Sequence, residues 1–197
     1  HGLIGRNIRG WYRVDTETDE KSIVAIYENN DDNNIFELDM KDILNVGNDC
    51  RIQYTYDNGR TKYVELIRGF DFIYNKRAVF NTTMQDLRNL AGADGSIVLI
   101  DYNGDKVYDT LDVREAKTMQ VKAIDHFDFK IYCNEGIIKC KDFDESFFEV
   151  SIKDDEGVTN KASIDSLSVG QVLTVYASRD DVYVEILAAT ETYNGVV

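Results

Sequence analysis

An apolar segment, an acidic turn and a second strand-like segment follow one another at residues 97–113, and this run constrains the fold most. Residues 97–100 read Ile-Val-Leu-Ile, and three of the four are β-branched residues, which favour strands. Asn103-Gly104 follows, and this pair is the strongest short hairpin signal because both residues tolerate the positive φ of a type I′ turn. The run therefore predicts two strands joined by a two-residue turn.

Apolar and polar residues alternate with a period of two along most of the chain, which is typical of half-buried strands. Besides the hairpin at 97–113, the pattern predicts strands at 8–14, 22–27, 35–38, 51–56, 62–67, 119–124, 129–133, 137–140, 147–152, 172–177 and 183–187. The chain has 197 residues and no proline, so its turns must depend on Gly, Asn and Asp. The predicted fold class is mostly β, with two small barrel-like or sandwich-like units and one short helix between them.

One segment, 83–91, has the spacing of a helix. Asn81, Thr82 or Thr83 can cap its first turn, and Gly92 is placed to end it. We therefore predict an N-terminal β-unit at 1–80, a helical connector at 81–95 and a C-terminal β-unit at 96–197.

A weak internal repeat supports two related units. DILNVG at 42–47 resembles DSLSVG at 165–170, and YVELI at 63–67 resembles YVEIL at 183–187. We interpret each copy as a leucine, Leu44 or Leu167, that plugs a small barrel ahead of a glycine and two paired strands.

The acidic turn also has the spacing of a calcium loop. Counted from Asp101, oxygen-bearing side chains fall at positions one, three, five, nine and twelve, and carboxylate and amide oxygens are the ligands that calcium prefers. The predicted metal ligands are Asp101, Asn103, Asp105 and Asp109, with the backbone carbonyl of Val107. Lys106 stands where calcium loops carry glycine, and Asp112 is a short final ligand. For these two reasons we favour the other interpretation, an ordinary exposed hairpin whose carboxylates point to water, with no cofactor.

The formal net charge of -14 opposes binding to phosphate backbones and to anionic lipid headgroups, so no nucleic-acid or membrane partner is expected. The two histidines are His1 and His126, and His126 lies in a predicted acidic turn. No nucleophile motif, phosphate-binding glycine loop or zinc spacing occurs, so the chain is predicted not to be an enzyme. A glycan hydrolase that uses paired carboxylates is a more distant alternative.

The run GSIVLIDYNGDKVYD at 95–109 resembles an element of large β-rich structural proteins of Gram-positive bacteria and their phages. FIYN at 72–75 precedes it and LSVGQVL at 167–173 follows it, in the order found in those proteins. The resemblance implies a non-enzymatic module of a large particle, such as a phage tail, baseplate or capsid-associated component, located in the virion. The alternative that it implies is a calcium-stabilised module at the bacterial cell surface or surface layer.

Protein partners within such an assembly, including further copies of the chain, are the expected partners. Cys50, Cys133 and Cys140 have no disulfide-framework spacing and are predicted to be reduced. Reduced cysteines and a first residue other than methionine are consistent with a piece of a particle assembled in the cytosol. The candidate contact surfaces are an edge strand at 184–187 and the tail at 190–197.

Overall fold

The structure is a computed structural model that describes residues 8–15, 18–28, 34–56, 59–139, 148–154 and 158–192. It is 64% strand and 7% helical, with sheets in sandwich-like and half-barrel-like arrangements. The prediction of a mostly-β chain is therefore confirmed. Among the described residues, no helix has the length and apolarity needed to cross a membrane.

The chain divides into two compact units, residues 1–113 and 114–197. This division lies later than the predicted boundary at 95–96. The strands at Gly95–Asp101 and Tyr108–Glu115 belong to the sheet of the first unit, where they pair with strands that lie far away in the sequence. Pairing over such sequence distances leaves no local signal, so composition alone could not place the boundary.

The first unit contains a separate hairpin and a seven-stranded sheet. Strands β1 (Ile8–Val14) and β2 (Lys21–Glu28) form the hairpin, which is a two-stranded sheet of its own. The larger sheet has the order β3-β8-β9-β6-β5-β4, and β7 pairs with β6. Its strands are β3 (Asn34–Asp39), β4 (Ile43–Val46), β5 (Arg51–Tyr56), β6 (Arg60–Tyr74), β7 (Arg77–Val79), β8 (Gly95–Asp101) and β9 (Tyr108–Glu115), and a 3₁₀ turn spans Met40–Asp42.

The only α-helix of the described chain, α1 (Met84–Arg88), packs into this first unit rather than connecting two units. The backbone N–H and the hydroxyl of Thr83 both donate to Asp86 Oδ2, at 2.8 and 2.7 Å, which closes the first turn. Leu87 is buried in the core, and Arg88 Nε donates to the carbonyl of Val46 at 2.8 Å. The helix lies where it was predicted, and its apolar side joins the core of the first sheet.

The second unit is one seven-stranded sheet with the order β12-β11-β10-β15-β16-β13-β14. Its strands are β10 (Lys117–Asp125), β11 (Lys130–Cys133), β12 (Gly136–Lys139), β13 (Phe148–Lys153), β14 (Thr159–Ala162), β15 (Gln171–Ala177) and β16 (Val184–Thr192), and a 3₁₀ turn spans Ile164–Ser166. It has its own apolar core, which includes Val121, Leu173 and Ile186.

Strand β16 lies inside this sheet, between β15 and β13. The predicted contact surface at 184–187 is therefore wrong: Val184 and Ile186 are buried, and both edges of the strand are hydrogen-bonded to neighbours. Residues 190–192 belong to β16, and the rest of the predicted tail surface, 193–197, lies outside the described residues.

The internal repeat corresponds to a shared strand arrangement in the two units. In the first, β5 and β6 are antiparallel and β6 runs parallel to β9; in the second, β15 and β16 are antiparallel and β16 runs parallel to β13. A 3₁₀ turn overlaps the start of each copy, and its closing N–H comes from Ile43 in the first and from Leu167 in the second.

These two closing residues are both buried, whereas Leu44 is 54% exposed. Leu167 plugs its unit as predicted, but the plug of the first unit is Ile43. The letter-by-letter alignment of the two copies is thus one residue out of register at this point.

The two described cysteines, Cys50 and Cys133, are free thiols, and Cys140 lies outside the described residues. Burial raises the pKa of the Cys133 thiol. A raised pKa keeps the thiol protonated at neutral pH, so this cysteine packs as a small apolar side chain.

Candidate functional site

The acidic segment forms a six-residue loop, 102–107, between β8 and β9, which are neighbours within the first sheet. Asp101 is the last residue of β8, and Asp109 is the second residue of β9. Both side chains are buried, with exposed fractions of 1% and 4%, while residues 102–106 of the loop are exposed. Two carboxylates are therefore held out of water at the base of the loop.

The carboxylate of Asp101 collects hydrogen bonds from the loop that follows it. Its Oδ1 accepts from the backbone N–H groups of Asn103 and Gly104, at 3.2 and 2.6 Å. Its Oδ2 accepts from the backbone N–H of Lys106 at 2.9 Å and from Asn34 Nδ2 on β3 at 3.2 Å. Four N–H donors thus surround one buried carboxylate, and they supply the stabilisation that water would otherwise give.

This wrapping replaces the predicted two-residue turn, which was wrong. A type I′ turn needs positive φ at both central residues. In the structure, positive φ occurs at Gly104 and at Lys106, at 80° and 71°, but not at Asn103. The loop widens to six residues because its backbone N–H groups turn inward to the carboxylate of Asp101 instead of pairing across the strands.

The remaining acidic and amide side chains continue the same pattern. Asp109 accepts from the backbone N–H of Tyr102 at 3.1 Å and from Asn103 Nδ2 at 3.4 Å. Asn103 Oδ1 accepts from the N–H of Asp105, and Asp105 Oδ1 accepts from the N–H of Val107. Each predicted metal-ligating side chain therefore accepts a hydrogen bond from a backbone N–H of the loop.

Asp101 and Asp109 differ in the direction of their pKa shifts. Burial alone would raise the pKa of Asp101, but hydrogen bonds from Lys106, Gly104, Asn34 and Asn103 hold it below its ordinary value. Burial raises the pKa of Asp109, and repulsion from Asp105 and Asp101 raises it further. The single backbone hydrogen bond from Tyr102 lowers the pKa but does not offset these two effects. The loop is thus built around the charged form of Asp101 and tolerates the charged form of Asp109 less well.

The structure shows the predicted calcium-ligand side chains as acceptors for backbone N–H groups of the loop. Within the described residues, no three His, Cys, Asp or Glu side chains are grouped so that they could hold a metal ion. Asp112 lies three residues beyond Asp109 on β9, and therefore on the opposite face of the strand. The metal site stays a prediction from the spacing alone.

A second polar cluster, in the second unit, has Tyr183 at its centre. Tyr183 is buried, and its Oη lies 3.0 Å from Glu149 Oε2 and 3.1 Å from Glu185 Oε2. Arg114 Nη2 donates to Glu185 Oε2 at 2.8 Å, and the guanidinium group lies over the ring of Tyr176, 4.4 Å from its centroid. Burial, together with the charges of Glu185 and Glu149, raises the pKa of Tyr183 well above its ordinary value.

Sequence reasoning missed this Tyr183 cluster because its members come from four separate segments. Glu149 and Glu185 meet because β13 and β16 run parallel with these two residues in register. A short Tyr-x-Glu pattern at 183–185 was visible, but nothing in the sequence shows which distant strand lies beside it. The hydroxyl of Tyr183 links Glu149 and Glu185 of the second unit, and Arg114, the first residue of that unit, adds its guanidinium group.

We expect Tyr183→Phe to lower the free energy of unfolding of the second unit by about 1–2 kcal/mol. The change keeps the buried ring but leaves two facing carboxylates without the hydroxyl between them, and hydrogen bonds to charged groups contribute about 1.5–3 kcal/mol when buried. We discount that figure because the side chain of Glu185 is 25% exposed. Denaturant unfolding, with amide exchange of β16 as the local readout, measures the loss. The matched control is Tyr176→Phe, which keeps the ring beneath Arg114; an equal loss in both variants contradicts the assignment.

The hairpin of β1 and β2 presents an apolar surface to solvent. Directly opposite residues of an antiparallel pair lie on the same face. The pairs Ile8–Glu28, Gly10–Ile26, Tyr12–Ile23 and Val14–Lys21 therefore share one side of the hairpin, and a register shift after Trp11 accommodates Val24. We call this side the hairpin face, and its large apolar residues are Ile8, Tyr12, Val14, Ile23 and Ile26. All five are exposed, with Tyr12 at 61% and Ile23 at 71%.

His126 lies in the turn at 126–129, as the sequence suggested. Its Nδ1 is 2.8 Å from Asp165 Oδ1, and both side chains are more than half exposed. An exposed pair of this kind contributes little to stability.

The comparisons with known proteins give no relative against which these sites can be read. No family model, curated protein or solved structure matched the chain.

Proposed function

We propose that this chain is a non-enzymatic structural module that works by protein contacts within a large assembly. The observation that carries the proposal is the hairpin face. A hairpin of two strands is marginally stable by itself in water, and every residue of β1 is exposed. An apolar surface of this kind marks a protein interaction site.

The energetics favour a contact on this surface. Fully burying a Val, Leu, Ile, Phe or Met side chain contributes about 1.5–3 kcal/mol, and the hairpin face carries four aliphatic side chains and a tyrosine. Part of this stabilisation would offset the cost of association, and part would order the hairpin itself. The hairpin is therefore best understood as an element completed by a partner.

The polar clusters support a structural rather than a chemical role. The carboxylate of Asp101 accepts four hydrogen bonds from its own unit, and Glu185 binds Arg114 and Tyr183 within the second unit. The groups that acid–base chemistry would use are employed here in holding loops and strands together. The proposed setting is a phage virion, in a tail, baseplate or capsid-associated component, and it rests on the resemblance of the run at 95–109.

Purified particles of the phage or bacterium that encodes the chain provide the test. We expect peptides of the chain at a fixed stoichiometry in density-banded virions, and we expect the amides of β1 and β2 to exchange more slowly in the particle than in the isolated chain. A Tyr12→Ser, Ile23→Ser variant should enter particles less efficiently. The matched control is Phe80→Ser, which removes an even more exposed aromatic side chain away from the hairpin. Absence of the chain from particles, or unprotected hairpin amides within them, contradicts the proposal.

A further inference from the structure

The hairpin face carries opposite charges at its two ends. Lys21 lies opposite Val14 at one end, and Glu28 lies opposite Ile8 at the other. The six steps of β1 between Ile8 and Val14 separate these ends by about 20 Å. The apolar side chains lie between them, so the face has a basic end, an apolar centre and an acidic end.

At the centre of the hairpin face, a depression at Gly10 lies next to a projecting side chain, Tyr12. Gly10 and Tyr12 are neighbours on the same side of β1, because side chains alternate along a strand. A Cβ built on Gly10 would have only the carbonyl oxygen of Ala25 within 4 Å, at 3.9 Å, so the glycine leaves a depression above the strand. Tyr12, which is 61% exposed, is a projection of suitable size for such a depression.

We propose that the hairpin face binds a second copy of this chain, face to face and with the strands reversed. This inference rests on the proposed function and names the partner. A two-fold axis that lies between the hairpins and perpendicular to their strands places β1 over β1 of the partner, and β2 over β2, each in the opposite direction. Two-fold dimers of this kind are the commonest form of oligomer.

In this arrangement every feature of the face meets a complementary one. Tyr12 of one copy lies over Gly10 of the other, Ile8 lies over Val14, and Ile23 lies over Ile26. Lys21 lies over Glu28, and the axis generates this ion pair twice. The other two-fold arrangement, with the axis along the strands, would place both Lys21 side chains at one end of the interface and both Glu28 side chains at the other, so that neither charge faces an opposite one, which is unfavourable. Charge therefore selects the reversed packing.

The interface is small, since a single hairpin face is well below the surface of a standard-size complex. We therefore expect a weak dimer of the isolated chain, with a dissociation constant on the order of micromolar to hundreds of micromolar. Sedimentation equilibrium of the full chain over a wide concentration range, near physiological salt, measures it.

A charge exchange tests the packing. K21E and E28K should each weaken the dimer by about tenfold or more, because each brings like charges together at both ends of the interface. A mixture of the two variants should form a heterodimer, since one copy then carries acids at both ends and the other carries bases. The double variant K21E/E28K should dimerise like the wild type, with each ion pair reversed.

A substitution that changes the shape of the hairpin face, and not its charge, gives an independent test of the reversed packing. Gly10→Val fills the depression that receives Tyr12, and a β-branched residue is compatible with the extended backbone at this position. It should weaken the dimer by at least tenfold while the hairpin remains folded, which its amide exchange reports.

Each outcome has a defined meaning. A wild-type chain that stays monomeric at millimolar concentration overturns the proposal, as does a dimer that none of these substitutions affects. If the hairpin amides are nevertheless protected in particles, the proposed function stands and the partner is another protein. If they are unprotected there, the proposed function itself fails.

Discussion

Replacing Asp101 by asparagine should lower the free energy of unfolding of the first unit by about 2–3 kcal/mol. Asparagine has one acceptor oxygen, so two of the four donors that now bind the carboxylate would face an NH₂ group instead. Leaving a buried donor without an acceptor costs about 1–3 kcal/mol, and hydrogen bonds to a charged group are the stronger kind. Denaturant unfolding of D101N against the wild type measures the loss, with amide exchange of Lys106 and β8 as the local readout.

The matched control for D101N is D109N, the same change at the second buried carboxylate. Asparagine at 109 keeps an oxygen for the N–H of Tyr102 and loses only the long, 3.4 Å hydrogen bond from Asn103 Nδ2. It also removes the repulsion from Asp101 and Asp105 that raises the pKa of Asp109. We expect D109N to stay within about 0.5 kcal/mol of the wild type or to be slightly more stable. Equal losses in the two variants would show that the loop does not depend on the charge of Asp101.

Lowering the pH should reduce the difference in free energy of unfolding between D101N and the wild type. The pKa of Asp101 is lower in the folded chain than in the unfolded chain, so its stabilisation is complete above the ordinary aspartate pKa of about 3.9. It is lost as the pH falls through the lower, folded-state value. The stability of D101N should therefore change less than that of the wild type below about pH 4. If the free energies of unfolding of the two proteins fall in parallel over this pH range, the assigned direction of the Asp101 pKa shift is wrong.

Replacing Ile43 by alanine should destabilise the first unit by about 2–4 kcal/mol. Ile43 is 6% exposed and lies in the core next to the 3₁₀ turn, and isoleucine-to-alanine changes in a core cost about 2–5 kcal/mol through lost burial and the cavity left behind. Thermal or denaturant unfolding of the full chain measures the change. In the second unit, Leu167→Ala should have a comparable effect, because Leu167 closes the equivalent turn.

Leu44 is the control for Ile43, since the two are adjacent and similar in size. Leu44 is 54% exposed, so Leu44→Ala should change the free energy of unfolding by no more than about 0.5 kcal/mol. The alignment of DILNVG with DSLSVG predicts the opposite order, with Leu44 as the plug. A large loss at Leu44 together with a small loss at Ile43 would therefore restore the sequence-based interpretation.

Much of the local structure could be predicted from the sequence because its causes are local. Alternation in Arg51–Tyr56 places Ile52 and Tyr54 inside, and both are buried. Thr83 precedes a short helical pattern, and it forms the N-terminus of α1 with Asp86. These features depend on neighbours within a few residues, and the confirmed mostly-β class is their sum.

The acidic loop could not be predicted from local sequence patterns. Asn103-Gly104 predicted a tight turn, and the spacing of the acids predicted convergence on a cation. Both patterns leave out Asn34, which β3 brings to Asp101 across 67 residues of sequence. Burial of that carboxylate, decided by the sheet, is what turns the loop N–H groups inward.

The sequence by itself determined the β character of this protein, the position of its helix and the acidity of the loop at 101–109, because alternation, capping and composition act over short distances. Only the tertiary structure decided which strands pair. It thereby placed β8 and β9 in the first unit, buried β16 within its sheet and brought Tyr183 between two carboxylates. Strand pairing over long sequence distances depends on the free energy of the whole core, to which many residues contribute a little each, and no short segment encodes it.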